Sequence, residues 1–571
     1  MSKHVVVIGG VALGPKAACR LKRLEPDTRV TLIDASKLIS YGGCGIPYYI
    51  SGDVSDHTQL QTTSFHMVRD EPFFKECKDF DVITEAWTES IDRKNKQVTV
   101  RLKTGEKQVL GYDKLVIATG SSPRDLKIPG QELPGAFAIT NLNSAIEIKE
   151  MVSKGDVGKA VIVGAGFIGL EMAEALADMW GIDTTVIEIA DQVLPGVVGP
   201  NMAKVAQEEL EKNDVSVLLG EFVQAIEGDG KVQRVRTNKQ TIDADLVILS
   251  VGVVPNSELA AEAGLAVSPR GGIQVGKTMQ TSDPDIYAGG DCVEIENLIT
   301  GKPAYFPLGS MANRQGRVIG TNLAGGRDTF DGAVGSFAVK IFDYGVAGAG
   351  LSIGSALREG FDAFSAQIIQ FDHSHFYPEK DLVAFELVVE RGTGRVLGVQ
   401  GLGSNGDGVK GRVDAVAATL KYKPTVKDIG NLEVAYAPPF SSAMDVVNTA
   451  ANAAENMLAG RSHPVDPITF AEMWNNRREN NLLVLDTREQ GNAEPFVQKH
   501  PDYWKNIPQG QLRCRLDEVP RDRQILLVCN TGGRSYESQL ILEHAGIHGA
   551  LNLQGGMGLL TRFGLNPAEE E

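Results

Sequence analysis

The sequence predicts an α/β protein in which one strand–turn–helix unit occurs twice. The segments His4–Leu24 and Lys159–Met179 each run from β-branched residues through a glycine-rich turn into a helical pattern. Each is followed by a second strand that ends in an acidic residue, Asp34 in the first and Glu188 in the second. This order is typical of the start of a parallel sheet that binds a dinucleotide. We therefore expect two Rossmann-like dinucleotide-binding domains.

The composition is that of an ordinary globular protein. Of 571 residues, 42% are apolar and 23% are charged, and acidic residues outnumber basic ones by 73 to 56. The net charge of −17 disfavours binding to nucleic acid or to anionic membranes. Six cysteines in so long a chain are too few for a disulfide framework. Because no two of them form a CxxC pair, we expect neither a zinc ribbon nor a thioredoxin-type pair, and no metal site. Without a secretory signal or a bilayer-spanning apolar run, we expect a cytoplasmic protein with reduced thiols.

The first glycine turn departs from the usual GxGxxG pattern. Gly9, Gly10 and Gly14 are present, but Val11 stands where the middle glycine is expected. Asp34 follows at the spacing of an acid that binds ribose hydroxyls, while the helix N-terminus receives a pyrophosphate. The alternative for this segment alone is a tight turn in an α/β domain that binds no nucleotide.

The second glycine turn has the full pattern, VGAGFIGLE. A carboxylate at Glu188 accepts hydrogen bonds from a ribose 2′-hydroxyl and repels a 2′-phosphate, and no arginine follows closely. NADH is therefore favoured over NADPH. The residues assigned to this site are Gly164, Gly166, Phe167, Ile168, Gly169, Glu188 and Gly252.

Two later motifs complete a resemblance to a known family. An ATG motif follows the strand KLVI, and the segment DPDIYAGGD ends at Asp291. With the two glycine turns, in this order, they resemble the flavoprotein disulfide reductases over about residues 1–455. The resemblance implies FAD in the first domain, with Asp291 at the ribityl chain, and NADH in the second. It also implies that the Phe167 ring covers the flavin until nicotinamide arrives, with simple packing as the alternative. The residues assigned to FAD are Gly9, Gly10, Gly14, Asp34, Ala118, Thr119, Gly120 and Asp291.

A single cysteine stands beside the expected flavin. Most enzymes of this superfamily carry a CxxxxC pair, whereas the segment SYGGCGIPYY holds Cys44 alone. One thiol cannot store two electrons as an internal disulfide, so it must form a mixed disulfide, a persulfide or a sulfenic acid. The first two products are those of coenzyme A-disulfide and persulfide reductases, and the third is that of NADH oxidases and peroxidases.

Three features favour the coenzyme A branch. The oxidase branch carries a histidine in the first glycine turn, where Val11 and Ala12 stand here. The segment CGIPYY resembles the CGLPY of the coenzyme A branch. LEVAYAPPFSSAMD resembles its YAPPFSSAKD, which implies that Tyr436 reaches the partner subunit's active site and acts as hydrogen-bond donor or acid to a departing thiolate. HSHFYPE resembles HAGYYPG and makes Tyr377 a second candidate. Both tyrosines imply a homodimer.

The resemblance also implies a coenzyme A site around the first helix. The family's coenzyme A phosphates dock on this helix, which carries Arg20 and Arg23 here. Ser40 is assigned to the same entrance, and Lys75 to the phosphates. The alternative for the basic residues is a solvated face. Gly43 stands where the family often has an asparagine that contacts coenzyme A.

The last hundred residues predict a separate α/β domain. The loop CNTGGRS follows the apolar strand QILLV and precedes a helix, so backbone N–H groups and Arg534 face the sulfur of Cys529. With LLVLDTRE and NLQGG, this pattern resembles a single rhodanese domain. A cysteine-phosphatase loop has five residues between cysteine and arginine, whereas four separate these two, which favours sulfur transfer. An inactive rhodanese used for docking is the other alternative.

We therefore expect an NADH-dependent reductase of sulfane sulfur and coenzyme A-linked disulfides, namely coenzyme A persulfide, polysulfide or coenzyme A disulfide. Cys44 is the expected redox thiol and Cys529 the sulfur acceptor, and a sulfur-donor protein is a further expected partner. The alternatives are an NADH oxidase or peroxidase with a Cys44 sulfenic acid, and a redox-sensing or sulfur-carrier module in which the flavin half is only regulatory. The predicted domains are an FAD-binding domain (1–147 and 267–333), an NADH-binding domain (148–266), an α+β dimerisation domain (334–455), a linker (456–467) and a rhodanese domain (468–565).

Overall fold

The structure is a computed structural model that describes residues 3–139 and 141–569, so the predicted domain start at residue 1 lies outside the described part. The described residues form two compact units. The first comprises 3–139, 141–189 and 214–333, and the second comprises 190–213 and 334–569. Within the described ranges, no helix is both long and apolar enough to cross a bilayer.

The first unit contains two parallel sheets and several small antiparallel ones. Its strands are β1 (His4–Ile8), β2 (Arg29–Ile33), β3 (Asp81–Ile83), β4 (Ala86–Asp92), β5 (Gln97–Leu102), β6 (Lys107–Gly111), β7 (Lys114–Ile117), β8 (Ser121–Pro123), β9 (Ala136–Ala138), β10 (Lys159–Val163), β11 (Asp183–Glu188), β12 (Val215–Leu219), β13 (Val223–Glu227), β14 (Arg234–Thr237), β15 (Thr241–Asp243), β16 (Leu246–Leu249), β17 (Val253–Pro255), β18 (Ile273–Gln274), β19 (Ile286–Ala288), β20 (Val293–Glu296) and β21 (Pro303–Ala304). Its helices are α1 (Leu13–Leu24), α2 (Ile46–Ser51), α3 (Glu71–Lys78), α4 (Leu142–Ser153), α5 (Phe167–Ala177), α7 (Glu258–Glu262) and α8 (Gly309–Leu323), while α6 belongs to the second unit.

The two predicted strand–turn–helix units are both present. The first lies in a parallel sheet of order β19-β7-β1-β2-β3, and the second in one of order β12-β11-β10-β16-β9. In each sheet the strand before the glycine turn is central, so its apolar residues are buried on both faces. Gly9 turns the chain into α1 at φ +111°, and a Cβ there would lie 2.0 Å from the Ala118 carbonyl oxygen. Only glycine fits this turn.

The second unit contains one antiparallel and one parallel sheet. Its strands are β22 (Phe337–Ile341), β23 (Tyr344–Gly350), β24 (Ala363–Phe371), β25 (Leu382–Glu390), β26 (Val396–Gly403), β27 (Pro464–Val465), β28 (Leu482–Asp486), β29 (Trp504–Asn506), β30 (Gln524–Val528) and β31 (Leu551–Leu553). Its helices are α6 (Pro200–Lys212), α9 (Ile353–Arg358), α10 (Gly406–Leu420), α11 (Val426–Gly430), α12 (Val446–Leu458), α13 (Pro467–Asn475), α14 (Gln490–Lys499), α15 (Gln509–Leu512), α16 (Gly533–His544) and α17 (Gly556–Arg562).

The antiparallel sheet, of order β22-β23-β26-β25-β24, forms the centre of the second unit. The helix predicted near 409–420 is α10, which begins three residues earlier because the Asn405 side chain accepts from the Gly408 N–H at 3.0 Å. The segment 190–213, predicted inside the NADH-binding domain, groups with this sheet. The Gly199 N–H, just before α6, donates to Oε1 of Gln400 on β26 at 2.6 Å.

The C-terminal parallel sheet has the order β27-β31-β30-β28-β29. The predicted linker, 456–467, is shorter in the structure, since α12 continues to Leu458 and β27 begins at Pro464. β27 joins the sheet because the Asn552 N–H donates to the His463 carbonyl and the Gln554 N–H to the Val465 carbonyl, both at 2.9 Å. The chain between the two sheets is therefore held at both ends.

Candidate functional site

Cys44 lies in a short 3-10 turn, Gly43–Gly45, directly before α2. The Gly42 N–H donates to the Leu60 carbonyl and the Gly45 N–H to the Gly42 carbonyl, both at 2.9 Å, so the turn is fixed from both sides. Cys44 is a free and exposed thiol. The turn thus presents the predicted redox thiol on a backbone that is itself well anchored.

Two opposing influences act on the charge of the Cys44 sulfur. Its Sγ lies 3.7 Å from the position that a Cβ on Gly309 would take, next to the N-terminus of α8, which favours an anion. The protein atoms packed around the sulfur raise the pKa of the thiol, and the carboxylates of Glu171 and Asp291 raise it further. The carboxylates therefore hold the sulfur toward its protonated form.

Glu171, on α5, is not among the residues predicted from the sequence. Burial raises the pKa of Glu171 to about 7, with a further contribution from the Glu174 carboxylate. Burial also raises the pKa of Tyr48 to about 12, and Glu171 adds to that shift. A carboxyl group that titrates near neutrality beside a redox thiol can hold or release a proton at working pH. Its place two residues after Gly169 was visible in the sequence, but its burial was not.

The residues predicted for FAD meet at the carboxyl end of the first parallel sheet. Asp34 accepts from the Gly10 N–H at 2.6 Å and from the Ser36 N–H at 2.7 Å. Burial raises the pKa of Asp34. No side chain caps the N-terminus of α1, so its first N–H groups point away from the helix without a side-chain acceptor. This donor set fits a pyrophosphate next to a ribose.

A second group of polar atoms lies farther along the same sheet. Asp291 accepts from Oγ of Ser121 at 3.2 Å, and burial raises the pKa of its carboxyl group. The buried Tyr305 hydroxyl makes no hydrogen bond, and burial raises the pKa of Tyr305 as well. Thr119, in the ATG motif after β7, donates from Oγ1 to the Asn256 carbonyl at 2.6 Å. A buried hydroxyl without a partner near a carboxylate fits the polar ribityl chain of a flavin.

The residues predicted for NADH repeat this arrangement. Glu188 is buried and accepts from the Ala165 N–H at 2.8 Å. The N-terminus of α5 has no side-chain cap, as in α1. Phe167 opens the helix half-buried, and Ile168 after it is exposed. Gly252 follows β16 at φ +91°. The set fits the adenosine half of a pyridine nucleotide.

The residues predicted for coenzyme A differ in how exposed they are and in the partners that their side chains already have. Arg20 and Arg23 lie on α1 as expected, with Arg23 exposed and Arg20 donating from Nε to Oγ1 of Thr321 at 3.1 Å. Lys75 forms an ion pair with Asp81 at 2.6 Å. Ser40, expected at the entrance, is buried, and its N–H donates to the Gly10 carbonyl at 2.8 Å. Its side chain is thus largely shielded from solvent.

Tyr377 and Tyr436 lie on two neighbouring segments of the second unit. The Ser374 hydroxyl donates to the Ser441 carbonyl at 3.1 Å and joins the two segments. Tyr377 stacks on His373, with ring centroids 5.5 Å apart. Tyr436 is 49% exposed. The structure therefore brings the two predicted tyrosine segments together and leaves the Tyr436 ring accessible.

Arg412, on α10, holds both tyrosine segments and was not predicted. Its Nε donates to both carboxylate oxygens of Asp445, at 2.9 and 3.2 Å. Its NH2 group donates to the Asp372 carbonyl at 2.7 Å and to the Phe440 carbonyl at 3.3 Å. The Arg412 and Asp445 side chains are 7% and 3% exposed. One buried guanidinium thus ties the segment of Tyr377 to that of Tyr436.

The predicted sulfur-accepting loop lies at the carboxyl end of β30. Cys529 is 1% exposed, and its Sγ accepts from the Gly532 N–H at 3.1 Å and from the Ser535 hydroxyl at 3.3 Å. Arg534, predicted to face the sulfur, lies in the same loop, and its Nη1 is 4.0 Å from Oε1 of Glu489. The backbone of the loop and Ser535, which was not predicted, supply the donors to sulfur.

Comparisons with known proteins cover the whole of this architecture. The family described as pyridine nucleotide-disulphide oxidoreductase matches residues 3–316, its dimerisation domain matches 336–447, and a rhodanese-like domain matches 469–560. The chain is 37% identical over 445 residues to an NAD(P)H sulfur oxidoreductase (CoA-dependent) of Pyrococcus abyssi, covering 78% of this chain and 96% of that protein. It is 33% identical over 458 residues to an NADH oxidase of Methanocaldococcus jannaschii, covering 80% of this chain and 100% of that protein.

A solved structure extends the likeness to the C-terminal domain. It is that of an NAD-dependent persulfide reductase from A. fulgidus, with a TM-score of 0.91 and 40% identity, covering 97% of this chain and 99% of that chain. The predicted fold class and the predicted family are thus confirmed. The chain belongs to the pyridine nucleotide-disulphide oxidoreductase family, whose enzymes use FAD and a pyridine nucleotide, and it carries a rhodanese-like domain at its C-terminal end.

Proposed function

We propose that this enzyme is an NADH-dependent reductase of sulfane sulfur and of coenzyme A-linked disulfides. Cys44 is its redox thiol and Cys529 its sulfur acceptor. The observation that carries the proposal is the pair of unlike free thiols in one chain. Cys44 is exposed in an anchored turn, and Cys529 is buried with two donors on its sulfur. The persulfide reductase and sulfur oxidoreductase relatives support the same substrate class.

The nucleotide sites hold the electron carriers at their ribose and pyrophosphate groups. When bound, NADH and FAD supply the electron pair that reduces the sulfur of Cys44. Asp34 and Glu188 accept hydrogen bonds from ribose hydroxyls, and the N-termini of α1 and α5 receive the pyrophosphates. Because a 2′-phosphate would meet the buried Glu188 carboxylate, NADH is preferred over NADPH.

Cys44 attacks one sulfur of a sulfur–sulfur bond. With coenzyme A persulfide, the Cys44 thiolate takes the outer sulfur and coenzyme A leaves as a thiolate. Two electrons and a proton then release hydrogen sulfide from the Cys44 persulfide and restore its thiolate. With coenzyme A disulfide, the same steps give a mixed disulfide and then release the second coenzyme A. Glu171 takes the proton from the Cys44 thiol before attack, since its carboxyl group titrates near neutrality.

A second copy of the chain completes the site in this proposal. Tyr436 and Tyr377 protonate the departing thiolate, with Arg412 holding their segments. An apolar surface surrounds the tyrosines, as Phe376, Phe440 and Met444 are 65%, 73% and 55% exposed. Apolar side chains exposed together are typical of a surface that another chain covers. The match to the family's dimerisation domain supports a homodimer built on this surface.

Cys529 loads sulfane sulfur for the reductase. Its thiolate takes the outer sulfur of a donor persulfide, the donor leaves as a thiolate, and the Cys529 persulfide passes that sulfur to a coenzyme A thiol. The product is a coenzyme A persulfide, the substrate of Cys44. The Gly532 N–H and the Ser535 hydroxyl stabilise the negative charge on the Cys529 sulfur. A donor protein or polysulfide supplies the sulfur.

The second candidate function is an NADH oxidase, which the relative of that name from Methanocaldococcus jannaschii favours. An oxidase would carry a Cys44 sulfenic acid, and in the related oxidases a histidine of the first glycine turn works on it. Here Val11 and Ala12 occupy that turn and offer no side chain that transfers protons. This difference favours the sulfur substrate.

Anaerobic NADH consumption tests the proposal. The purified holoenzyme is given coenzyme A persulfide, polysulfide or coenzyme A disulfide, with oxygen and peroxide as control oxidants. We expect turnover with the sulfur compounds and its loss by about a thousandfold or more in Cys44→Ser. Cys77→Ser, a second exposed free thiol, is the matched control and retains full activity. Turnover only with oxygen or peroxide would assign the enzyme to the oxidases.

The same assay separates the two thiols. Cys529→Ser is expected to leave coenzyme A disulfide reduction unchanged and to slow turnover when coenzyme A and a sulfur donor must first react. If Cys529→Ser changes the turnover rate with none of the substrates, the C-terminal loop takes no part in sulfur delivery.

A further inference from the structure

Helix α17 supports the loop that holds Cys529. The Met557 N–H donates to the Cys529 carbonyl and the Gly558 N–H donates to the Asn530 carbonyl, both at 2.8 Å. Gly556, at φ +54°, approaches so closely that a Cβ there would lie 2.3 Å from the Cys529 carbonyl oxygen. The backbone of the loop therefore takes its shape from the position of α17.

The same helix contacts the antiparallel sheet of its unit. Arg562, at the end of α17, donates to Oδ1 of Asp381 at 3.0 Å. Gln554, two residues before the helix, accepts on Oε1 from the Gln367 N–H of β24 at 2.6 Å. A Cβ on Gly558 would lie 3.5 Å from Cγ2 of Ile369 on that strand. The sulfur loop thus rests on the sheet through one helix.

Asp381 continues the contacts toward the tyrosine segments. Its Oδ2 accepts from the Ser404 hydroxyl at 2.6 Å, and its N–H donates to Oδ1 of Asp372 at 2.9 Å. Asp372 is 2% exposed, and the same Oδ1 lies 2.8 Å from Nδ1 of His373, the ring on which Tyr377 stacks. Four successive contacts therefore join Arg562 to Tyr377.

We propose that the Arg562–Asp381 pair is a positioning device shared by the two sulfur sites. It holds α17 against the sheet, so that the Cys529 loop keeps its donors on the sulfur, and it holds the start of the Tyr377 segment. Neither residue touches a reacting atom. The roles of Cys529 and Tyr377 come from the proposed function, whereas the coupling between their segments rests on the contacts alone. The C-terminal domain therefore works docked on the sheet.

Hydrogen exchange on the full-length holoenzyme tests the coupling without any assay of activity. In Arg562→Met and Asp381→Asn we expect faster exchange both in the loop 529–533 and in the segment 372–377. Arg562→Lys keeps the positive charge, so it can still pair with Asp381 and is expected to preserve the protection of both segments from exchange. The matched control is Arg521→Met, since the exposed Arg521 donates to the Gly546 carbonyl of its own domain. Unchanged protection in either segment of Arg562→Met would overturn the proposal.

Kinetics then distinguish positioning from general stability. With thiosulfate as sulfur donor and cyanide as acceptor, Arg562→Met is expected to lower kcat of sulfur transfer about three- to tenfold with little change in KM. A purely structural pair would lower the melting temperature and leave kcat at 25 °C unchanged. If the wild-type enzyme transfers no sulfur, the proposed role of Cys529 fails, and the exchange data still decide the coupling.

Discussion

The two thiols proposed to handle sulfur lie in opposite surroundings. Cys44 is an exposed residue whose ionisation is opposed by the protein atoms packed around its sulfur and by nearby carboxylates, whereas Cys529 is buried and receives two hydrogen bonds on its sulfur. A thiol of the first kind is accessible and reacts when its proton is removed. In a thiol of the second kind, hydrogen-bond donors stabilise an anionic sulfur and fix its position. The difference matches a division between a redox thiol and a sulfur-holding thiol.

The largest expected effect is a loss of stability on removal of Arg412, the buried side chain that holds the segments of Tyr377 and Tyr436. Arg412→Met leaves the Asp445 carboxylate buried without its partner, which costs about 3 to 5 kcal/mol. Urea unfolding of the holoenzyme measures this loss. Lys410→Met on the same helix removes only an exposed pair with Asp414 and is expected to change stability by about 0.5 kcal/mol or less. Equal effects of the two variants would show that Arg412 does not clamp the tyrosine segments.

A smaller effect is expected on the Cys529 side of the comparison. Ser535→Ala removes one of the two donors to the sulfur, so sulfur transfer is expected to slow about tenfold. Ser538→Ala is the matched control, because its hydroxyl lies on the same helix and donates to the Arg534 carbonyl instead. The rate of sulfur transfer from thiosulfate to cyanide is the measurement. Equal rates in the two variants would show that the loop backbone, and not Ser535, stabilises the Cys529 sulfur.

The smallest expected effect concerns the proton of Cys44. Burial raises the pKa of Cys44 and the Glu171 carboxylate raises it further, so Glu171→Gln lowers that pKa and moves the pH profile of Cys44 alkylation to lower pH. The rate of iodoacetamide reaction at the Cys44 peptide measures the shift. Below about pH 7 wild-type Glu171 is itself protonated, so the two profiles converge there. Glu147→Gln, an exposed carboxylate on α4, serves as the control, and a shift to higher pH would reverse the assigned role.

Most of the fold was predictable because its determinants are local. Each nucleotide-binding unit places its buried β-branched strand, glycine turn and helix within about twenty residues. Such a pattern can be recognised from the sequence alone. The full glycine pattern at Gly164–Gly169 and the loop from Cys529 to Ser535 are of this kind. The start of α10 at Gly406 was missed because it depends on one side-chain cap.

The rest of the site depends on contacts between distant segments. Glu171 has a raised pKa because the fold buries it beside Glu174. Arg412 gains its role from carbonyl groups that lie up to 40 residues away in the chain. Arg534 has the expected position in the loop, and its side chain also lies 4.0 Å from the Glu489 carboxylate, on a segment far from the loop in the sequence. No pattern within one segment encodes such pairings.

The division between the two thiols is tested most directly by mass spectrometry of the oxidised enzyme without NADH. After anaerobic incubation with coenzyme A disulfide, we predict one coenzyme A on Cys44, one free coenzyme A per subunit and an unmodified Cys529. After incubation with thiosulfate, we predict one added sulfur atom on Cys529. A Cys44 sulfenic acid as the only product, formed with peroxide and with no sulfur compound, would contradict this division.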